Sequence, residues 1–274
     1  MGSFRELFSV KEVLNSKGFE VISEGDGSDL LIPIKYLPHS DQDILFEAFN
    51  TKASRSEILQ KIMDFDFTAS NLASLAIINH PKFICDRNSY STTFEWYIGE
   101  LLERRFSAFS SSYGIKIGDI SRNSISGVTG DYDSIVVLRD INIVYFECKT
   151  GSFNRDKIER CLDRSLALHC EFCIMLIQEA INIRSLKACI NGIINPLIKR
   201  LELFELEIKG KSSSKVIGWN TCFFVTADGD IEDQIRTIMR TNAAKKIDHS
   251  NSYGLAPKEY AAWGYTKTIL NNLS

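Results

Sequence analysis

The sequence predicts an α/β fold: a helix, three antiparallel strands, a second helix and a further strand, preceded by a mainly helical region over residues 1–86. Three observations carry this. Phe94, Ile98, Leu101, Leu102, Phe106 and Phe109 recur at helical spacing and share one stripe. Two β-branched runs, 130–138 and 143–151, are separated by Arg139-Asp140-Ile141-Asn142 and read as an antiparallel hairpin, with Asp140 and Asn142 as turn formers. A helical pattern over 155–169 then leads into the wholly apolar run Phe172-Cys173-Ile174-Met175-Leu176-Ile177.

Taken in order, helical periodicity runs from Phe4 to Ser16, and a short strand pair brackets the turn Gly25-Asp26-Gly27-Ser28-Asp29. Helices follow near 41–50, 54–64 and 68–79, and Pro81 ends the last of them. Short helices before the strand-like Lys82-Phe83-Ile84-Cys85 suit a winged-helix-like DNA-binding unit, and equally a packing or dimerisation role. The stretch 86–89 is the best boundary, so 87–274 forms the second unit. Within it the sequence predicts a helix over 92–109, a strand over 114–121, a polar loop over 121–129, hairpin strands over 132–138 and 142–149, a helix over 155–169 and a strand over 171–178. A long helix interrupted near Pro196 spans 181–207, a buried strand runs from Val216 to Thr226, and a helix covers 231–245. This tail extends the sheet, and Trp263 and Tyr265 are its docking residues.

Composition bounds the class. A chain of 274 residues, 44% hydrophobic and 24% charged, is an ordinary globular protein able to bury a full core. No run approaches the roughly twenty apolar residues of a membrane helix, and Met1-Gly2-Ser3-Phe4 opens no signal-peptide apolar region, so the expected location is cytoplasmic, away from membranes. Of seven cysteines, Cys148, Cys170, Cys173 and Cys222 lie in apolar strand-like runs where a thiol behaves as a small hydrophobe, expected to be reduced.

The hairpin carries charge where a strand should be apolar. Glu147 and Lys149 are two apart and project from one face, and Asp133 on the neighbouring strand can reach the same spot if the hairpin pairs in register. A surface ion pair is the plain reading of Glu147 and Lys149, but the strand is apolar on both sides and an unpaired charge there is costly. Two carboxylates and one ammonium fit phosphodiester hydrolysis. The acids hold Mg²⁺ or Mn²⁺, which prefer hard oxygens, and the amine orients or activates the nucleophilic water.

Asp133, followed fourteen residues later by Glu147-Cys148-Lys149, resembles the signature of the PD-(D/E)xK nuclease superfamily over residues 90–178, with Tyr132 where the name-giving pattern has Pro. The resemblance implies a restriction-endonuclease-like core. It implies Mg²⁺ (or Mn²⁺) held by Asp133, Glu147 and the Cys148 backbone carbonyl, with Lys149 catalytic and Glu95 supporting from the preceding helix, directly or through water. It also makes Asp131, two before Asp133, a supporting acid. Glu95 has a second reading as a capping residue, with Thr92 or Thr93 as N-cap and the carboxylate near the helix dipole's positive end. The implied activity is that of a metal-dependent nuclease, a DNA endonuclease of restriction, phage defence or repair. Its partner is nucleic acid, DNA rather than RNA, and a homodimer would serve cutting of both strands. A nuclease-fold protein that binds nucleic acid or a protein without cleaving is the alternative.

A net charge of −3 and pI of 5.9 require such an enzyme to concentrate its basic residues. Lys157, Arg160 and Arg164 fall three and four apart on the helix after the motif and form a nucleic-acid-binding stripe or, with Glu159 and Asp163 interleaved, a solvated face. Lys209, Lys211 and Lys215 around a serine-rich loop, and Arg236, Arg240 and Lys245 on a later helix, offer weaker versions of that pattern. His169-Cys170-Glu171-Phe172-Cys173 contains a CxxC, but no second pair stands at zinc-ribbon spacing and the segment reads as a core strand. Gly210-Lys211-Ser212 lacks the upstream glycine of a nucleotide-binding loop, and no nucleophile elbow is present.

Overall fold

The computed structural model describes residues 8–25, 39–49, 87–118, 130–149, 153–177, 181–192, 203–208, 211–219, 221–226 and 229–252. The helices expected over 54–64 and 68–79, the segment Lys82–Cys85, the loop over 121–129, the Pro196 interruption, Lys209, Trp263 and Tyr265 lie outside these residues.

The protein is mixed α/β. Its strands are β1 (Glu20–Ser23), β2 (Ser110–Gly118), β3 (Gly130–Val137), β4 (Ile143–Lys149), β5 (Phe172–Ile177), β6 (Leu203–Ile208), β7 (Lys211–Trp219) and β8 (Cys222–Thr226). They form one eight-stranded sheet in the order β1-β2-β3-β4-β5-β8-β7-β6. The expected helix, three antiparallel strands, helix and strand are its centre: β2, β3 and β4 are antiparallel, and β5 returns parallel to β4 after a helix. The expectation of a three-stranded sheet with one further strand is corrected to a larger mixed sheet, because the flanking segments add strands at both edges.

Two of those additions run against the periodicity reading. The long helix expected over 181–207 ends at Asn191, and Leu203-Phe204-Glu205-Leu206-Glu207-Ile208 alternates as strand β6 with one side facing a core. The buried strand expected over 216–226 is a hairpin, β7 and β8, in which Trp219 pairs with Cys222. At the other edge β1, from the N-terminal region, pairs antiparallel with β2.

Helices cover both faces. On one lie α2 (His39–Phe49), α3 (Arg87–Phe106) and α6 (Ile231–Ser252), packing Phe46, Phe94, Ile98, Leu101, Ile235 and Ile238 onto Val136, Val144, Phe146 and Ile174. On the other lie α1 (Val10–Ser16), α4 (Arg155–Ala167) and α5 (Ile183–Asn191), packing Leu14, Ile158, Leu162 and Leu186 onto Ile135, Tyr145, Met175 and Phe224. β5 sits at the centre between two parallel neighbours and is buried on both sides, which explains its unbroken apolar run. Each such side chain contributes roughly 1.5–3 kcal/mol of transfer free energy.

α3 begins at Arg87, so Glu95 is eight residues inside it and the capping reading with Thr92 or Thr93 is corrected. Phe109 lies beyond its end and packs on the opposite face. Gly99 lets α3 approach closely: a Cβ there would meet Ser111 Oγ at 2.6 Å. Glu95, one turn earlier on that side of the helix, is thereby brought down onto β2 and β3.

Candidate active site

The alternation of β2 and β3 slips by one residue at a single row. On β2, Tyr113 packs against the α3 face while Ile115 and Ile117 pack against the α4 face, and Gly114 between them takes φ +54°. On β3, Tyr132 and Ile135 both pack against the α4 face although they are three residues apart. Regular pairing of β3 with β4 runs from Val137↔Ile143 to Ser134↔Phe146. Beyond it, the Cys148 N–H donates to Oδ2 of Asp133 at 2.7 Å. The carboxylate thus takes an amide of the neighbouring strand where the two strands part, and the slip turns it toward Glu147 and Lys149.

Glu147 and Lys149 share the face of Tyr145, as the period of two requires. Lys149 Nζ lies 2.5 Å from Glu147 Oε1 and 3.3 Å from Asp133 Oδ2, so one ammonium joins both carboxylates. Glu147 is only 1% exposed. Its other oxygen accepts a hydrogen bond from the Tyr145 hydroxyl and lies 3.5 Å from the Arg164 guanidinium, which also donates to Tyr145 Oη at 3.3 Å. Arg164 in turn stacks over the Tyr132 ring at 4.8 Å, and Tyr132 meets Tyr145 edge-on at 5.2 Å. Both oxygens of the Glu147 carboxylate therefore have fixed partners, Lys149 on one and Tyr145 with Arg164 on the other.

Glu95 reaches this cluster from the opposite layer. Its Oε2 lies 4.0 Å from where a Cβ on Gly114 would stand, beside the slipped row. Burial, then the charge of Asp133, pushes its pKa up to about 9, against partial relief from Lys149. Asp133 is raised to about 6 by burial and by Glu147, opposed by Lys149 and the Cys148 amide. Burial would lower Lys149, but Asp133 and Glu147 outweigh it and hold the amine up at about 12. The lysine is consequently an ammonium at neutral pH. It can orient a water and offset negative charge.

Three acids, Glu95, Asp133 and Glu147, meet two cations, Lys149 and Arg164, and burial together with this excess raises Glu95 and Asp133. Their hard oxygens suit Mg²⁺ or Mn²⁺, whose charge would relieve that excess, and Asp133, Glu147 and Glu95 are the side chains that could hold such an ion. Their oxygens are not gathered as tightly as a preformed cage. Among the described residues, the group of three or more candidate ligand atoms lying within 4.8 Å of one another is Cys161, Cys173 and Cys222. Mg²⁺ commonly binds through one or two carboxylates plus substrate phosphates, which needs no cage.

The remaining sequence-derived candidates separate. Asp131 is exposed and lies 3.8 Å from Lys116 across the β2–β3 pair, acting on Glu95 only through its charge. Lys157 is half-buried and Arg160 exposed on α4, whereas Arg164 points inward, 7% exposed. Its place in a nucleic-acid-binding stripe is corrected: it sits three residues after Cys161, within the apolar arc of the helix, and supports Glu147. Glu100 pairs with Arg104 at 2.7 Å and Glu103 accepts the Ser111 amide at 2.7 Å, both away from the cluster. Tyr145 and Arg164 are site residues that the motif spacing does not contain. The signal for Tyr145 is its place two before Glu147, on the same face.

No family model matches the chain, and no curated protein matches it. Among the described residues no helix is long and apolar enough to cross a membrane.

Proposed function

We propose that the protein is a metal-dependent nuclease hydrolysing phosphodiester bonds, with DNA as its substrate class, of the restriction-endonuclease-like kind that the Asp133…Glu147-Cys148-Lys149 pattern resembles. The observation that carries this reading is Lys149 Nζ bridging Glu147 Oε1 and Asp133 Oδ2, with Glu95 brought in from the facing helix. A bound Mg²⁺ or Mn²⁺ would supply Lewis acidity toward the phosphate and lower the pKa of an attacking water. Asp133, Glu147 and Glu95 would hold the ion, with the Cys148 carbonyl as a further donor. Lys149 orients the nucleophile and offsets charge developing on the phosphorane oxygens. Arg164 and Tyr145 keep the Glu147 carboxylate in one orientation. Restriction, phage defence and repair are the settings in which such a DNA endonuclease operates, and a homodimer would bring two sites to opposite strands.

The alternative is a nuclease-fold protein that binds nucleic acid or a partner without cutting, in which the ion pairs of Lys149 with Asp133 and Glu147 serve as a structural clamp between β3 and β4. Incubation with plasmid, linear duplex and single-stranded DNA and with RNA, in Mg²⁺ or Mn²⁺ against EDTA, separates the two. Metal-dependent cleavage that disappears in Lys149→Ala supports the nuclease. Absence of cleavage with every substrate and both metals overturns it in favour of the binder.

A further inference from the structure

On the α4 face of the sheet, the face that also carries Tyr145 and Glu147, three thiols meet. Cys161 comes from α4, Cys173 from β5 and Cys222 from β8, and all three are 0% exposed. Cys173 and Cys222 are direct Cα partners across two parallel strands, and Cys161 descends on them from the helix above. Their sulfurs lie within 4.8 Å of one another and the thiols are hydrogen-bonded among themselves. The Ser165 hydroxyl, one turn after Cys161 and itself 3% exposed, is hydrogen-bonded to Cys173. The arrangement differs from the CxxC of residues 170–173, because Cys170 is not one of the three.

We infer that Cys161, Cys173 and Cys222 form a binding site for one thiophilic divalent cation of the zinc class, with the Ser165 hydroxyl as fourth donor. Tetrahedral zinc–thiolate bonds of about 2.3 Å set sulfurs about 3.8 Å apart, so the observed grouping needs each sulfur to move by less than roughly an ångström. Charge selects the ion. Three S–H groups and one divalent cation give a tris-thiolate of net charge −1 and three protons released to solvent, with no change in oxidation state. A monovalent copper ion with the same three thiolates would leave −2 in the core, which costs more. Donors from a helix and two central strands make the site rigid, and each neighbour that fixes them is already in place. Because the thiols are fully buried, the ion enters as the chain folds. The acidic oxygens, whose hardness favours magnesium, lie near enough for the Glu147 charge to act on Cys173 and Cys222.

Cadmium is the probe. The full chain is refolded with Cd²⁺ under thiol-reducing, metal-compatible conditions, with excess Mg²⁺ to occupy the acidic cluster, and then desalted. One Cd²⁺ per chain should be retained, with the near-ultraviolet sulfur-to-cadmium charge-transfer band of three thiolates. Cys161→Ser and Cys222→Val, the latter chosen to keep strand packing, should each weaken retention tenfold or more and lower the band by about a third. Cys189→Ser should leave both unchanged. Refolded wild-type protein that keeps no Cd²⁺, or keeps it without the band, overturns the site. So does equal loss in Cys189→Ser. The wild-type measurement decides alone if a variant does not fold.

Discussion

The amide of Cys148 on β4 donates to Oδ2 of Asp133 on β3 at 2.7 Å, at the point where the regular pairing of the two strands stops. A candidate ligand is thus also the structural stop of a β-ladder. The two roles are separable by substitution. Asp133→Asn keeps an oxygen for the amide and removes the charge, while Asp133→Ala leaves the amide without its acceptor at a cost of about 1–3 kcal/mol. Both variants should lose cleavage. In urea unfolding only the alanine variant should be destabilised by that amount, and equal stability of the two would show that the amide bond contributes nothing.

Lys149 stands between two carboxylates, so its removal acts on stability as well as on chemistry. Its folded pKa of about 12 lies above the ordinary lysine value. Its contribution is therefore fully present below that ordinary value and is lost only as pH rises through about 12. Between pH 6 and 9 the ammonium stays charged, and its contribution grows as Asp133 and Glu95 ionise. Lys149→Met should abolish cleavage and cost about 3 kcal/mol at pH 9 and less at pH 6, because Asp133 then loses its cation and Arg164 alone is left beside Glu147. A Tm deficit that closes between pH 6 and 9 would contradict the assignment of a permanently charged ammonium.

Glu95 carries the opposite sign. Its pKa is raised to about 9 in the folded protein, so the native state binds more protons than the unfolded chain from about pH 4.5 upward. Stability without metal should fall as pH rises through that window, with Asp133 contributing over its lower part, up to about 6. Glu95→Gln mimics the protonated form. Its Tm should match the wild type near pH 5 and exceed it near pH 8 in EDTA. Mg²⁺ should raise the wild-type Tm more at pH 8 than at pH 6, since cation and proton compete for the same oxygens. Circular dichroism melts at four pH values check all three statements, and a wild-type Tm independent of pH would refute the charge excess.

How much of this is legible in the chain depends on whether a signal is local. The hairpin is legible because its turn chemistry is: Asp140 accepts from Asn142, and Leu138 and Asn142 close the turn as the sequence implies. The same holds for β5, whose run of six apolar residues fits a central parallel strand and little else. The strand β6 is not legible by the same rule, since Leu203, Leu206 and Glu207 also fit a helix and only pairing with β7 decides. The start of α3 is lost for another reason. Its first turn, 87–90, carries no apolar stripe, so the periodicity begins late and misplaces Glu95 at a helix end. The Asp133–Glu147–Lys149 cluster is visible through one spacing and one period of two. The hold of Arg164 on Glu147 joins residues seventeen apart and depends on which way a helix is rotated, which a stripe of basic residues read alone gets wrong.

That rotation divides the expected basic stripe into residues with different surroundings. Arg164 is buried against Glu147 and Tyr145, whereas Arg160 is exposed on the same helix. Arg164→Ala should destabilise the protein by about 3–5 kcal/mol, because it strands a buried carboxylate. Arg164→Lys, which keeps the charge without the planar fork, should fold, require more Mg²⁺ for half-maximal cleavage, and bind DNA with unchanged salt dependence. Arg160→Ala should do the reverse: unaltered stability and Mg²⁺ requirement, with the slope of log affinity against log salt reduced by about 1. Fluorescence-anisotropy titrations of a labelled duplex at several salt concentrations, beside Mg²⁺-dependent cleavage rates, read both effects. A salt slope that falls in Arg164→Lys and not in Arg160→Ala would return Arg164 to the phosphate-binding face and remove its support of Glu147.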